Sequence, residues 1–315
     1  MTKTRVPTVH PPNMPRFLAW LCLVLLVGCG SASPRIASPE ASDWEAQVLG
    51  GAPDARLILQ VEEANADPVY GGPPTAYDRR DPKDAELEAL LRGVRSIELW
   101  FVVDDRNAER SSLLVLVRGK PDFEALRRHP DTRALFARKP EQLPSGVLAY
   151  PVSEDSTPVV FYLLPSGSWV IAAGRISGRV RYHLFSHGGD PPPAPSERDA
   201  LMAMWVGPGA VRLAEVEKSA KGFQELSLAI RSSRSGDMEL SAKFASEKDA
   251  KAALASIQEA LKQLPAAQKA LADQCPAWEG VRFGLEREGR TLSGRVSNLP
   301  PLVRAYRTGA CHRDR

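Results

Sequence analysis

The chain has 315 residues, 43% of them hydrophobic and 25% charged, with 41 Lys plus Arg against 38 Asp plus Glu, a formal net charge of +3. That length can bury one large core or two ordinary ones. So close a charge balance supplies neither the basic footprint that nucleic acid requires nor an overall field for steering charged ligands.

Lys3, Arg5 and Arg16 lead into an uncharged apolar stretch of 11 residues, Phe17 to Val27. A bilayer-spanning helix needs about 20 residues, so the stretch fits the core of a cleaved export signal instead. It closes on Leu26-Val27-Gly28-Cys29, with Gly30 next. This segment resembles a bacterial lipoprotein signal peptide with its lipobox, a resemblance confined to residues 1–30. It implies cleavage between Gly28 and Cys29, a thioether-linked diacylglycerol on Cys29 and a further, palmitate-like acyl chain on the freed amine. Stable anchoring takes two membrane signals, which such a residue supplies without a transmembrane helix. Gly30 stands where an Asp would retain an enteric lipoprotein at the inner membrane, so the resemblance leans towards the periplasmic face of the outer membrane. A plain secretory signal with an incidental Cys29, or an uncleaved anchor, are the rival readings. Cys22 is a poorer acceptor, since bulky Leu21 precedes it.

Residues 1–28 hold three of the bases and none of the acids, so the processed chain carries 38 of each and no net charge. Cys275 and Cys311 are then the cysteines left over. In an oxidising compartment such a pair is expected to bridge; two buried thiols are the alternative. Their separation does not match a metal site.

Residues 29–54, rich in Ser, Ala, Pro and Gly, are expected to be a tether between lipid and folded domain, with Trp44 and Val48 able to pack locally. Loops are expected at 67–77 and at Gly188 to Pro195, where Pro191-Pro192-Pro193 excludes helix and central strand. The second loop divides a first lobe, 55–190, from a second, 191–315.

The first lobe opens with a helix from Asp81-Pro82 through Leu87, Leu90 and Leu91, closed by Gly93. Ile97, Leu99, Phe101 and Val103 alternate along a strand; Asp104 to Asn107 turns it; Leu113 to Val117 returns. A helix starts at Asp122 with Phe123 and Leu126. Strands follow at 147–152, 159–164 and 169–173, then a helix from Ile176. In the second lobe Leu226, Leu228 and Ile230 alternate, and Met238, Leu240, Ala242 and Phe244 alternate back, with Glu239, Ser241 and Lys243 on the wet face. Ser246 to Asp249 is a capping box for a helix carrying Ala250, Leu254, Ile257 and Leu261. Strands at Val281 to Leu285 and Leu292 to Val296 precede a short helix with Leu302 and Tyr306.

Glu98 corresponds to Glu225 at a shift of 127, and Leu126 to Leu254 at 128. Strand, turn, strand and helix at one offset read as an internal duplication. The near-identity of Ile176-Ser-Gly-Arg-Val180 and Leu292-Ser-Gly-Arg-Val296 is out of step with that offset and reads as coincidence. The expected class is α+β: two duplicated lobes of antiparallel sheet covered by helices. The layout of 55–310 resembles that of two-lobed, uncharacterised bacterial envelope lipoproteins, a likeness that brings no active-site residue with it.

No G-x-S-x-G elbow or H-E-x-x-H pair is present. Gly207-Pro208-Gly209 begins like a dinucleotide loop, but Pro208 lacks a donor and the third glycine is missing, so a turn is expected. His183 and His187, at i and i+4 on one helix face, are weak metal candidates with Asp190 the nearby acid. The plainer reading places His187 in a last helical turn, where the dipole favours it. Asp104-Asp105 and Asp81/Asp84 read as turn and cap residues. Trp100 lies out of phase with Leu99 and Phe101, beside Val102 and opposite Leu114 and Leu116. That face is expected to be covered by the other lobe or left as a sticky surface.

These features point to a non-catalytic, membrane-anchored envelope lipoprotein that binds an envelope protein or another component, with no cofactor. A carrier of a hydrophobic ligand and an enzyme of unrecognised type, led by His183 and His187, are the alternatives.

Overall fold

The computed structural model describes residues 43–69, 92–104, 111–129, 132–153, 158–187, 189–191, 200–213, 222–232, 236–262, 268–269, 271–273 and 275–307. Asp81 and Asp84 of the expected helix, Asp105 of the expected turn, and the lipobox with Gly28 and Cys29 lie outside them, as does Cys311.

Twelve strands form one antiparallel sheet among the described residues: β1 (Ala55–Gln60), β2 (Val94–Val102), β3 (Ser112–Gly119), β4 (Glu141–Gln142), β5 (Leu148–Ser153), β6 (Val159–Leu163), β7 (Trp169–Ala173), β8 (Ala200–Val206), β9 (Phe223–Arg231), β10 (Met238–Phe244), β11 (Arg282–Glu288) and β12 (Thr291–Ser297). Their order across the sheet is β11-β12-β10-β9-β8-β1-β2-β3-β7-β6-β5-β4. Helices among the described residues include α1 (Asp43–Leu49), α2 (Val61–Ala66), α3 (Phe123–Arg128), α4 (Ile176–His187), α5 (Pro208–Leu213), α6 (Glu247–Leu261) and α7 (Leu299–Arg307). The class is α+β.

The period-two signals expected from the sequence all form strands, because alternating apolar residues place one side on a core. The caps work as the residues dictate. Asp122 accepts the Ala125 N–H at 2.9 Å to start α3, and Ser246 accepts the Asp249 N–H at 3.1 Å to start α6. Ile176 to Val180 is helix and Leu292 to Val296 strand, so identical residues adopt the state their neighbours impose.

β1 and β8, the central pair, join the two halves of the chain. Leu57 lies opposite Leu99 on one side and Met204 on the other. The sheet's apolar face continues through Val115 and Ile171 to Phe161. At that end Phe161 meets Phe123, Phe136, Tyr150 and Trp169, with ring centroids 5.1 to 6.3 Å apart across the group. At the other end α6 lays Ala250 and Ile257 on Leu228, Leu240 and Leu292. Aromatic edge-to-face pairs add to area burial here.

Four expectations need correction. The tether cannot extend to residue 54, because α1 packs Trp44, Val48 and Leu49 into the core. Trp100, only 1% exposed, is covered by α1 and α4 of its own half, with Leu114, Leu116, Val180 and Leu184 around it, and not by the other lobe. Glu239 is not on a wet face; it is 2% exposed and bound to Arg231. The proline segment is no free joint at its start, since Pro191 is buried and its carbonyl accepts from Arg118 Nη1 at 2.6 Å; residues 192–199 lie outside the described structure.

Candidate functional site

Charged side chains gather on the face of the sheet that holds Trp100. In β1 and β2 the even-numbered residues point there, so Arg56 lies opposite Trp100 and Ile58 opposite Glu98. Ser96 pairs in register with Arg118 of β3. The α1 helix drops Glu45 onto this row. Glu45, 1% exposed, accepts from Arg56 Nη2 and, at 2.5 Å, from Trp100 Nε1. Glu98 accepts from Arg118 Nε at 2.5 Å, both side chains being buried. Burial lowers the Arg56 guanidinium pKa from its ordinary value, and the Glu98 charge works against that shift; a guanidinium remains ionised regardless.

The row continues beyond the central pair. Trp205 Nε1 donates to Glu225 Oε1 at 2.9 Å. Arg231 grips Glu239 Oε2 through Nε at 3.0 Å and Nη2 at 2.7 Å. Arg295 reaches Asp237 at 2.7 Å and Glu239 at 3.7 Å.

Glu45, Glu98, Asp237 and Glu239 are engaged by arginines, and Glu225 is held by Trp205 and, at 3.6 Å, by Lys243. What the arrangement does is mechanical. It pins α1 to β1 and β2 and the chain at Pro191 to β3.

His183 and His187 do share one face of α4, their rings stacked at 4.7 Å. His183 packs edge-on against Trp44 at 6.1 Å. Burial, then the His187 charge, lower the His183 pKa below 6.5. Asp190 does not join them: it accepts from Ser166 Oγ at 2.5 Å and Ser168 Oγ at 2.9 Å. Among the described residues no group of three His, Cys, Asp or Glu could hold a metal. His187 ends α4, as the dipole favours. Asp104 pairs with Arg175 at 2.8 Å.

Gly207 and Gly209 flank Pro208 at the start of α5, and close packing accounts for both. A Cβ on Gly207 would meet the Trp205 ring at 2.5 Å, and one on Gly209 would strike the Asp54 carboxylate. Cys275 is disulfide-bonded and buried beside Val281, Val296 and Leu302. No helix among the described residues is long and apolar enough to cross a membrane.

Sequence reasoning missed Glu45, Arg56, Glu98 and Arg118. The signal was present in part: Glu98 shares the phase of Trp100, so a reading that buries one buries both.

No protein-family model matches the chain. No curated protein matches it. A solved structure described as crystal form I of TP0453 aligns with 87% of this chain and 100% of its own, at 12% identity and a TM-score of 0.42, too low a score to transfer a fold or a role.

Proposed function

We propose that the chain is a lipid-anchored protein of the bacterial cell envelope, held through Cys29 at the periplasmic face of the outer membrane, with a binding or structural role. The observation that carries this reading is the disulfide at Cys275, since such bonds persist in exported proteins and are rare in the cytosol. It agrees with the export signal and lipobox ending at Cys29. The arginine-saturated carboxylates support a structural use of the buried charges.

The folded part is two copies of one unit. The strand order supports this: outward from the central pair it runs β1-β2-β3-β7-β6 one way and β8-β9-β10-β12-β11 the other. A helix follows β3 and β10 alike. The copies have diverged, for α4 covers Trp100 while α7 packs on Val296 at the far end of the opposite face.

A carrier of a hydrophobic ligand is the second reading. Leu57, Leu99, Phe101, Leu113 and Met204 are half-buried side by side at the centre of the apolar face. Around Trp100 the opposite face is filled by α1 and α4.

The anchor is tested by metabolic labelling with a palmitate analogue. Cys29→Ser is expected to abolish labelling and release the chain into the soluble fraction. Undiminished label and membrane retention in that variant would overturn the proposal. Native mass spectrometry of protein extracted from membranes separates the second reading: a stoichiometric co-purifying lipid, distinct from the covalent one, favours a carrier.

A further inference from the structure

The helix α4 presents apolar side chains on two opposite faces. Ile176, Val180 and Leu184 point into the core. On the opposite side Tyr182 is 76% exposed and Phe185 49%. They lie one turn apart, so they form a single outward stripe. Arg179 and Arg181 are exposed along the same helix and Arg175 is exposed one residue before it, and residues 175–187 contain no acid. Arg181 and Arg175 each reach a carboxylate on neighbouring elements, Glu141 at 2.6 Å and Asp104 at 2.8 Å.

A single exposed apolar residue is ordinary on a protein surface. An aromatic stripe bordered by arginines is a different arrangement. Aromatic rings settle at the level of lipid head groups. Long cationic side chains reach from there to phosphates, and anionic lipid attracts them.

The position of α4 supplies the second argument. Its His183 packs against Trp44 of α1, the first described element. Fourteen positions separate Cys29 from Asp43, and such a length spans at most about 50 Å. An acyl group on Cys29 therefore keeps α4 close to the bilayer. Tethering at that range makes a weak surface contact effective, because the second contact becomes intramolecular.

We propose that the outer face of α4 rests on the anionic phospholipid surface that holds the anchor, with Tyr182 and Phe185 in the head-group layer and Arg175 and Arg179 facing phosphates. This rests on the reading of Cys29 as acylated. The test uses the full processed chain in vesicles of phosphatidylethanolamine and phosphatidylglycerol containing a photoactivatable phospholipid, with adducts located by mass spectrometry. Adducts are expected to concentrate in residues 175–187. The double variant Tyr182→Ser, Phe185→Ser should lower them at least fivefold while the chain stays on the vesicles. Both positions are exposed, so circular dichroism should confirm an unchanged fold. The intact mass separates the two readings. An acylated chain whose adducts fall elsewhere, or persist undiminished in the double variant, sinks the docking alone. A chain without acyl groups sinks the anchor and the docking with it.

Discussion

At the scale of single residues, the buried ion pairs set the largest expected effects. Arg118 ties Glu98 and the Pro191 carbonyl together inside the protein. Removing one partner of such a pair leaves an uncompensated buried charge, at a cost of about 3–5 kcal/mol. Arg118→Met is therefore expected to lower unfolding free energy by that amount in urea titrations. Adding Glu98→Leu should recover most of the loss, because an apolar pair of similar volume is often as stable as the ion pair. His183 gives a pH signature. Its native pKa lies below its ordinary 6.5 through burial and the His187 charge. As pH falls through 6.5 the unfolded chain takes up this proton first, so stability is lost on acidification and is complete above that value. Replacing His183→Gln should flatten the dependence of stability on pH between 7 and about 5, measured by thermal unfolding.

At the scale of elements, the two faces of the sheet are held by different means. One end of the apolar face is closed by aromatic rings from α3, β5, β6, β7 and the turn at Arg133–Phe136, centred on Phe161. Phe161→Ala empties the middle of that cluster and is expected to cost about 3–5 kcal/mol, read from the denaturation midpoint. The strands and capped helices of this region were legible in the sequence, because period-two alternation and the residues Asp122 and Ser246 are local signals. β1 and β8 were not. Arg56 interrupts the first, and Ala-Leu-Met-Ala-Met-Trp-Val in the second is apolar on both phases. A central strand pressed on both faces loses the alternation that marks an edge or a half-exposed strand. α1 was missed for a related reason: its seven residues are too short to be stable alone and are helical because Trp44 and Val48 find the Trp100 face.

At the scale of the whole molecule, the two halves share one sheet through the β1–β8 pair, so they are not independent lobes on a hinge. The disulfide at Cys275 acts at one end of this unit. We propose Cys311 as its partner. Closing a separation of 36 positions stabilises a domain by about 4 kcal/mol in the chain-entropy picture. Peptide mapping without reduction is expected to recover the Cys275–Cys311 peptide pair. Cys311→Ser should lower the thermal midpoint and free the Cys275 thiol; an unchanged midpoint with no free thiol would rule the pairing out.

The amino-acid order by itself determined the α+β class, nine of the twelve strands and the caps of α3 and α6. These follow from periodicity and side-chain chemistry within a few residues, which need no distant partner. Only the tertiary structure decided that the halves merge at β1 and β8, that α1 and α4 cover Trp100, and that Glu45, Arg56, Glu98 and Arg118 are buried together. Each of these depends on groups far apart in the chain, Glu45 meeting Trp100 and Arg118 meeting Pro191. A buried charge looks like a surface charge until the partner that neutralises it is in place.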